Sequence, residues 1–376
     1  MQIDTDKMAQ DCINAFNNTV RNLKRLNIIV TGKSGVGKST LINSIFKDNF
    51  AETGIGHPVT QNIRKIEKKD YPLAIYDTPG FEMSGNQQRK VKDQILDIIS
   101  QGYAKGDANE EIHCIWYCIN VAGNRIDDSE IKWLKELTSV TKKSIPIVIV
   151  LTQAIPEDKA AEMKKLVEAE NLNVAKVIPV LAQDMKFGKT VIDAYGLDTL
   201  IEIMAGFLPS DVQNTLQYVQ IASLKSKKRA ARGIVAGAVA ASLGEGYAPI
   251  PFSDALLIVP TQIGMIAGIT AVFGIDINKG FLTGVISSTI GTGGATLVGK
   301  SIVSNLIKIV PGVGTLVGGS ISGATAGVLT TALGETYIKI MEKIYTGEIK
   351  KDSFSSAKGK REMRRIFKEE LKKNNK

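Results

Sequence analysis

The chain has 376 residues, a length that suggests two or three domains, and ordinary shares of apolar (44%) and charged (23%) residues. Its net charge is +9, and most of the surplus lies in Lys225–Arg229 and in the tail from Lys350 onward. Two histidines exclude a histidine-rich metal site, and Cys12, Cys114 and Cys118 have no metal-type spacing, so we expect core cysteines. The first residues lack the pattern of a secretory signal, which favours the cytoplasm.

The first 209 residues predict one helix followed by an α/β domain. Residues 1–24 form an amphipathic segment, because Met8, Cys12, Phe16 and Val20 recur at helical spacing. Residues 25–209 alternate between apolar runs of strand length and helical patterns. The predicted strands are Leu26–Thr31, Leu73–Tyr76, Ile112–Ile119, Ile145–Leu151 and Val177–Leu181. This alternation predicts a doubly wound, mostly parallel sheet with ligand loops at the carboxyl ends of its strands.

A glycine-rich segment, GKSGVGKST, follows the first predicted strand and opens a helix. It meets the full P-loop pattern in the strand–loop–helix context that the pattern requires. We expect its residues to surround nucleotide phosphates with their backbone N–H groups: Gly32, Lys33, Ser34, Gly35, Val36, Gly37, Lys38, Ser39 and Thr40. Lys38 is expected to contact the β- and γ-phosphates as a catalytic residue, and Ser39 to ligate Mg²⁺.

A second motif, DTPG, follows the strand at Leu73–Tyr76. Asp77 at the strand tip is expected to hold Mg²⁺ through water, and the N–H of Gly80 to meet the γ-phosphate. Between the two motifs, Thr60 is expected to complete the Mg²⁺ shell, with Thr53 as the second choice. The alternative for this segment is an ordinary surface loop.

Together, GKSGVGKST, the PVT at residues 58–60 and DTPG resemble the Era- and septin-like branch of P-loop GTPases. The nearer resemblance is to bacterial YfjP- and YcjF-type GTPases, and the more distant one to immunity-related and dynamin-like GTPases. It also rests on Ile115–Glu130 and on Tyr247–Gly274, which resembles the glycine-rich C-terminal domain of unknown function in such proteins. The resemblance implies GTP and GDP as ligands and Mg²⁺-dependent hydrolysis of GTP.

The segment expected to read the base departs from the GTPase pattern. Thr152 and Gln153 align with the guanine-reading box, but no aspartate follows at the expected position, and Asp158 lies three residues too far along. Ala182 is the candidate for the last box. These three residues are expected to contact the base, and ATP stays open as an alternative ligand.

Phe81 stands directly after Gly80, where Ras-like enzymes place a water-orienting glutamine. An apolar ring cannot orient water, so we predict slow basal turnover that self-association or a partner stimulates. Lys33, Arg64 and Arg125 are either cations that act on a second copy or solvated surface charges. A nucleotide-binding scaffold with little hydrolysis is the alternative to an enzyme.

Residues 210–345 predict an all-α domain rich in glycine and alanine, with three stretches that carry no charge: Ala255–Ile275, Gly280–Gly299 and Ile309–Gly334. They either associate with a membrane through small residues or pack as a compact helical domain in water. Basic clusters at Lys225–Arg232 and Lys350–Lys376 flank this region, which favours an anionic membrane surface on the cytoplasmic side. Nucleic acid is not favoured, because no RNA-binding module is visible.

The tail, residues 346–376, predicts a basic helix in which Met363, Ile366, Phe367 and Leu371 share one face. Such a helix either lies at an interface, of a membrane or of a partner, or is a solvated and partly frayed helix.

Overall fold

The computed structural model describes residues 5–47, 50–53, 55–58, 63–78, 85–123, 126–140, 145–244, 250–251, 258–289, 320–321 and 323–374. Contacts between residues divide the chain into two units. The sheet unit is Leu23–Ser226, and the helical unit combines Met1–Asn22 with Lys227–Lys376.

The sheet unit is built on a seven-stranded sheet in the order β2-β3-β4-β1-β5-β6-β7. Its strands are β1 (Leu26–Gly32), β2 (Ile55–Pro58), β3 (Arg64–Glu67), β4 (Leu73–Asp77), β5 (Cys114–Asn120), β6 (Ile147–Thr152) and β7 (Lys176–Pro179). β3 pairs antiparallel with β2 and β4, and all other pairs are parallel. The prediction of a doubly wound, mostly parallel sheet is confirmed.

Helices cover both faces of this sheet. They are α2 (Lys38–Ile45), α3 (Phe50–Thr53), α4 (Gly85–Ala104), α5 (Asp128–Val140), α6 (Glu157–Ala169), α7 (Leu197–Phe207) and α8 (Ser210–Val219). A small hairpin, β8 (Met185–Phe187) and β9 (Thr190–Ile192), lies between β7 and α7.

Burial on both sides explains why the central strands are continuous apolar runs. In β1, Ile28 and Val30 pack with residues of α2, α7 and α8, while the intervening Ile29 packs with residues of α4, α5 and α6. Cys114 and Cys118 of β5 are fully buried, as expected for core cysteines, and burial raises the pKa of the Cys118 thiol to about 12.

The helical unit contains α1 (Thr5–Arg21) and most of α9 (Leu224–Gly244), followed by α10 (Ile258–Phe273), α11 (Lys279–Thr289), α12 (Gly323–Tyr345) and α13 (Ala357–Lys373). A two-stranded pair, β10 (Ile250–Pro251) with β11 (Ser320–Ile321), and a 3₁₀ turn, Lys351–Ser355, complete its described part. The apolar face of α1 is buried, and Phe16 packs on Ala267 and Ala271 of α10. The prediction of a helical C-terminal region is confirmed.

Close helix contacts require a glycine at position 334 of α12. A Cβ at Gly334 would lie 2.5 Å from Cγ2 of Val235 and 3.1 Å from Sδ of Met265, so only a residue without a side chain fits between α9 and α10. Among the described helices, none combines the length and the apolar character needed to cross a membrane.

Several residues of the basic cluster at Lys225–Arg232 have partners within the chain. Lys225 pairs with Glu202 at 2.9 Å, Lys228 with Glu342 at 2.7 Å and Arg232 with Glu335 at 3.2 Å. Lys227 is fully buried and donates a hydrogen bond from its Nζ to the carbonyl oxygen of Val272 at 2.8 Å. Lys225, Lys228 and Arg232 of this cluster therefore have acidic partners within the chain, while Lys225, Arg229 and Arg232 lie on the surface.

The tail helix α13 also differs from its prediction. Met363, Ile366, Phe367 and Leu371 are buried, and α13 packs on α11 and α12. Glu370 on the same face is buried and pairs with Lys339 at 2.5 Å. Because this face is covered by the helical unit itself, it is not open to a membrane or a partner, and the helix is not a solvated, frayed one.

Candidate functional site

The loop between β1 and α2 lies at the carboxyl end of the sheet, and its glycines fix its path. Gly32 has φ +139°, and a Cβ there would lie 2.3 Å from the carbonyl oxygen of Cys118. Gly37 has φ +96° and immediately precedes α2. These conformations are costly for other residues. Ser34, Gly35, Ser39 and Thr40 are exposed, so the loop and the first turn of α2 are open to a ligand.

Lys38 spans the concave side of this loop. Its Nζ donates to the carbonyl oxygens of Gly32 and Lys33, each at 3.1 Å. The ammonium group thus lies at the place where a P-loop holds phosphate, and it sits at the N-terminus of α2, whose backbone N–H groups favour an anion.

Lys33 forms ion pairs with two carboxylates that were not predicted from the sequence. Its Nζ lies 2.6 Å from Oδ2 of Asp127 and 2.9 Å from Oε2 of Glu130. Glu130 is buried and accepts a further hydrogen bond from the hydroxyl of Tyr117 at 2.8 Å. Partial burial lowers the pKa of Lys33, but these hydrogen bonds outweigh it and hold the pKa above its usual value.

Both carboxylates lie within the segment Ile115–Glu130, which also carries part of the family resemblance. Nothing in the local pattern pairs them with the P-loop, because 94 residues separate Lys33 from Asp127.

Asp77 ends β4 beside the P-loop. Its Oδ1 is buried and has no hydrogen-bond partner among the described residues. Burial raises the pKa of Asp77, and the charges of Lys38 and Arg64 only partly oppose that rise. The neighbouring Thr78 is buried and donates from its hydroxyl to Oγ1 of Thr31 at 2.9 Å, which fixes the end of β4 against β1.

A buried carboxylate oxygen without a partner is costly unless a cation or a donor reaches it. Carboxylate and hydroxyl oxygens are suitable ligands for Mg²⁺. The partnerless oxygen of Asp77 and the exposed Ser39 therefore fit the expected Mg²⁺ site. Thr60 and Gly80 lie outside the described residues, as does the side chain of Thr53.

The segment expected to contact the base is hydrogen-bonded to the P-loop. The hydroxyl of Thr152 is buried, at 2.5 Å from the carbonyl oxygen of Val36 and 3.1 Å from that of Ile119. Gln153 adopts φ +49°, and its Nε2 lies 3.5 Å from the carbonyl oxygen of Gly35. Thr152 therefore connects β6 to the phosphate loop.

Two further segments, at Ile155 and at Ala182, belong to the part of the site expected to contact the base. Ile155, which stands where an aspartate is expected, donates its N–H to the carbonyl oxygen of Gln153 at 2.7 Å. Ala182 follows Leu181, which exchanges two backbone hydrogen bonds with Tyr195, and the hydroxyl of Tyr195 donates to the carbonyl oxygen of Ala154. The candidate base segments are thus joined to each other through Tyr195.

A mostly parallel sheet with a P-loop between β1 and α2 and an aspartate at the end of β4 defines the G domain of a P-loop GTPase. Residues 27–153 match the family model described as 50S ribosome-binding GTPase, and residues 208–376 match a domain of unknown function, DUF697. The chain therefore combines a P-loop GTPase domain with a DUF697 region.

Curated relatives include septins at low identity. The chain is 28% identical to cell division control protein 10 of Candida albicans over 40% of this chain and 49% of that protein. It is 25% identical to human septin-12 over 45% of this chain and 53% of that protein. The chain spans about half the length of these relatives. The septin side of the resemblance is supported, whereas the YfjP- and YcjF-type resemblance stays a prediction.

Among solved structures, the G domain of the T. maritima FeoB iron transporter aligns with a TM-score of 0.31 and 16% identity. That alignment covers 49% of this chain and 98% of the other.

Proposed function

We propose that this chain binds GTP together with Mg²⁺ and hydrolyses it slowly to GDP and phosphate. One observation carries the proposal: the Lys38 ammonium group spans an open P-loop next to the buried, partnerless carboxylate oxygen of Asp77. The match of residues 27–153 to a GTPase family supports guanine as the base.

In this proposal the backbone N–H groups of residues 32–40 and the N-terminus of α2 bind the phosphates. Lys38 exchanges its two carbonyl partners for oxygens of the β- and γ-phosphates. Ser39 and Asp77 hold Mg²⁺, with Thr60 as a further ligand and the Gly80 N–H at the γ-phosphate, as the sequence predicts. When bound, the ion neutralises charge that develops on the phosphate oxygens.

Base recognition in this proposal depends on fewer groups than in a GTPase with a complete box. Ile155 offers no carboxylate to the base, and Thr152 is held by the carbonyl oxygen of Val36. Gln153 and the backbone at Ala182 are the remaining candidates. We therefore expect a smaller preference for guanine over adenine than a carboxylate gives, and an ATPase of the same architecture is the alternative.

We further propose that two copies of the chain associate when triphosphate is bound. Phe81 stands where a water-orienting glutamine is expected, so a group from a second copy is the proposed source of rate enhancement. Groups supplied in this way raise GTPase rates by ~10³–10⁵.

Phosphate release from the purified chain, measured at rising protein concentration with GTP and with ATP, tests these statements. We expect the rate per molecule to rise with concentration, to be higher with GTP, and to vanish in Lys38→Ala. A rate no higher than that of Lys38→Ala at every concentration would favour the nucleotide-binding scaffold. A higher rate with ATP would favour the ATPase.

We also propose that the helical unit associates with the inner face of a membrane. The uncharged stretches of the sequence and the basic tail support this placement. Competition of GDP and ADP against a fluorescent nucleotide, with and without vesicles, shows whether membrane and nucleotide act on each other.

A further inference from the structure

The two basic segments of this chain differ in their ion pairing. Lys225, Lys228 and Arg232 form ion pairs with glutamates of the chain, as described above. α13 keeps its charges on the surface: it contains eight basic and three acidic residues, a net charge of +5.

The acidic residues of α13 form ion pairs with basic residues outside one exposed set. Arg365 pairs with both Glu362 and Glu369 at 2.6 Å, and the buried Glu370 pairs with Lys339 and Lys373. One exposed set of basic side chains remains: Lys358, Arg361, Arg364, Lys368 and Lys372. No ion pair of these five occurs within the described part of the chain.

These five residues follow each other at spacings of three, three, four and four positions. Residues three and four apart share one face of a helix, so the five form a continuous row about 21 Å long. The opposite face holds Met363, Ile366 and Phe367, which are buried in the helical unit. The row is therefore held rigidly outward. We call it the α13 stripe.

We propose that the α13 stripe is the surface by which this chain binds an anionic phospholipid membrane, through the phosphate groups of its lipids. The inference rests on the membrane association proposed above and names the surface responsible. Clusters of four to eight basic residues on one helix face are typical of binding to anionic lipids. The attachment is electrostatic, because the apolar face of α13 is already covered.

Three features favour lipid over nucleic acid. The stripe contains no aromatic residue on which a base could stack, as single-strand binders use. It runs the full length of α13, whereas a recognition helix presents chiefly its N-terminal residues to base edges. The same unit also carries the uncharged stretches that the sequence analysis associated with a membrane.

The test is co-sedimentation of the full chain with vesicles of phosphatidylcholine, with and without phosphatidylglycerol. The stripe variant is Arg361→Gln, Arg364→Gln, Lys368→Gln, which keeps good helix formers at exposed positions. The matched control is Lys165→Gln, Lys186→Gln, Lys189→Gln, which removes the same charge from exposed positions in the sheet unit. Circular dichroism and GTP hydrolysis of each variant verify that folding and the nucleotide site are intact.

We expect the wild type and the control to bind only the anionic vesicles, with loss of binding at high salt. Each basic residue near an anionic surface contributes about fivefold in affinity, so the stripe variant should bind about 100-fold more weakly. Equal binding of the stripe variant and the wild type would overturn the assignment of the surface but leave membrane association standing. Binding of the wild type to neither vesicle would overturn both.

A competition with single-stranded and duplex RNA completes the test. If RNA displaces the wild type from anionic vesicles and binds it more tightly than they do, through the same three residues, the lipid assignment is wrong. Co-sedimentation and circular dichroism do not require GTP hydrolysis, so none of these outcomes depends on the proposed enzymatic activity.

Discussion

The hydroxyl of Thr152, at the end of β6, lies 2.5 Å from the carbonyl oxygen of Val36 in the P-loop. A side chain expected to contact the base is thus used to hold the phosphate loop in place. The contact is buried, so its loss leaves a polar carbonyl oxygen without one of its partners.

Thr152→Val removes this hydrogen bond while keeping the shape of the side chain. We expect a loss of about 1 kcal/mol in the free energy of unfolding. We also expect the affinities for GDP and for ADP to fall by equal factors. Competition against a fluorescent nucleotide measures both affinities, and Thr152→Ser serves as the control that keeps the hydroxyl. A loss confined to GDP would show instead that Thr152 contacts the base.

Lys33 and Glu130 should be energetically coupled. The ammonium group is 2.9 Å from a carboxylate that is buried, so removing Lys33 leaves the buried Glu130 without this countercharge. A double-mutant cycle with Lys33→Met and Glu130→Gln, followed by urea unfolding, should give a coupling energy of about 0.5–3 kcal/mol. If Lys33 acts on a second copy instead, Lys33→Met will reduce hydrolysis only at high protein concentration and the coupling energy will be near zero.

Asp77→Asn should stabilise the nucleotide-free protein. Because burial raises the pKa of Asp77, its charged form is disfavoured in the folded state, and stability is lost as the pH rises above the ordinary carboxyl value. Near neutral pH the amide should therefore raise the free energy of unfolding by about 1 kcal/mol, and the gain should shrink in acid. Thermal unfolding with and without Mg²⁺ and GDP measures this effect.

The same substitution should weaken Mg²⁺-dependent nucleotide binding, because an amide is a poorer ligand for a hard cation than a carboxylate. A destabilised Asp77→Asn protein that binds nucleotide and Mg²⁺ as tightly as the wild type would contradict both expectations. Such a result would make Asp77 a structural residue.

His113 should make the sheet unit sensitive to acid. Burial lowers its pKa from 6.5 to about 4, although the charge of Asp211 opposes this. The N–H of Asn27 donates to Nδ1, which requires the neutral imidazole. The folded state therefore excludes the proton that the unfolded state accepts, and stability is lost as the pH falls from about 6.5 to about 4. The full loss is ~3 kcal/mol.

Urea unfolding at about pH 7 and about pH 4.5 measures this loss. His113→Asn keeps an acceptor for the N–H of Asn27 but does not titrate in this range. We expect the difference between the two pH values to be smaller in this variant by most of that amount. An unchanged difference would assign the acid sensitivity to the carboxylates.

Substitution by alanine should change the free energy of unfolding in opposite directions at two glycines of the helical unit. Gly334→Ala places a methyl group 2.5 Å from Val235, so we expect a loss of about 1–3 kcal/mol in the free energy of unfolding. A Cβ at Gly264, within α10, meets nothing within 4 Å, so Gly264→Ala should stabilise by about 0.5–1 kcal/mol. Equal effects at both positions, measured by thermal unfolding, would show that α12 does not depend on this close contact.

The sequence by itself determined the P-loop, the parallel strands and the position of Asp77. A phosphate loop is built from the backbone of one contiguous segment, so the glycines at 32 and 37 and the lysine at 38 reveal it directly. Strands buried on both faces are likewise readable as apolar runs. β2 and β3 escaped prediction because four-residue strands that contain Gly56, Pro58 or Arg64 carry no such run.

Only the tertiary structure decided which charges are free and which side chains reach the site. Arg361 and Lys228 look alike in the sequence, yet Lys228 is paired with Glu342, 114 residues away, and Arg361 lies on the surface. The sequence predicts that Thr152 contacts the base, and the fold places the carbonyl oxygen of Val36 against its hydroxyl. A hydrogen bond or ion pair depends on distance in space, and separation along the chain does not determine that distance.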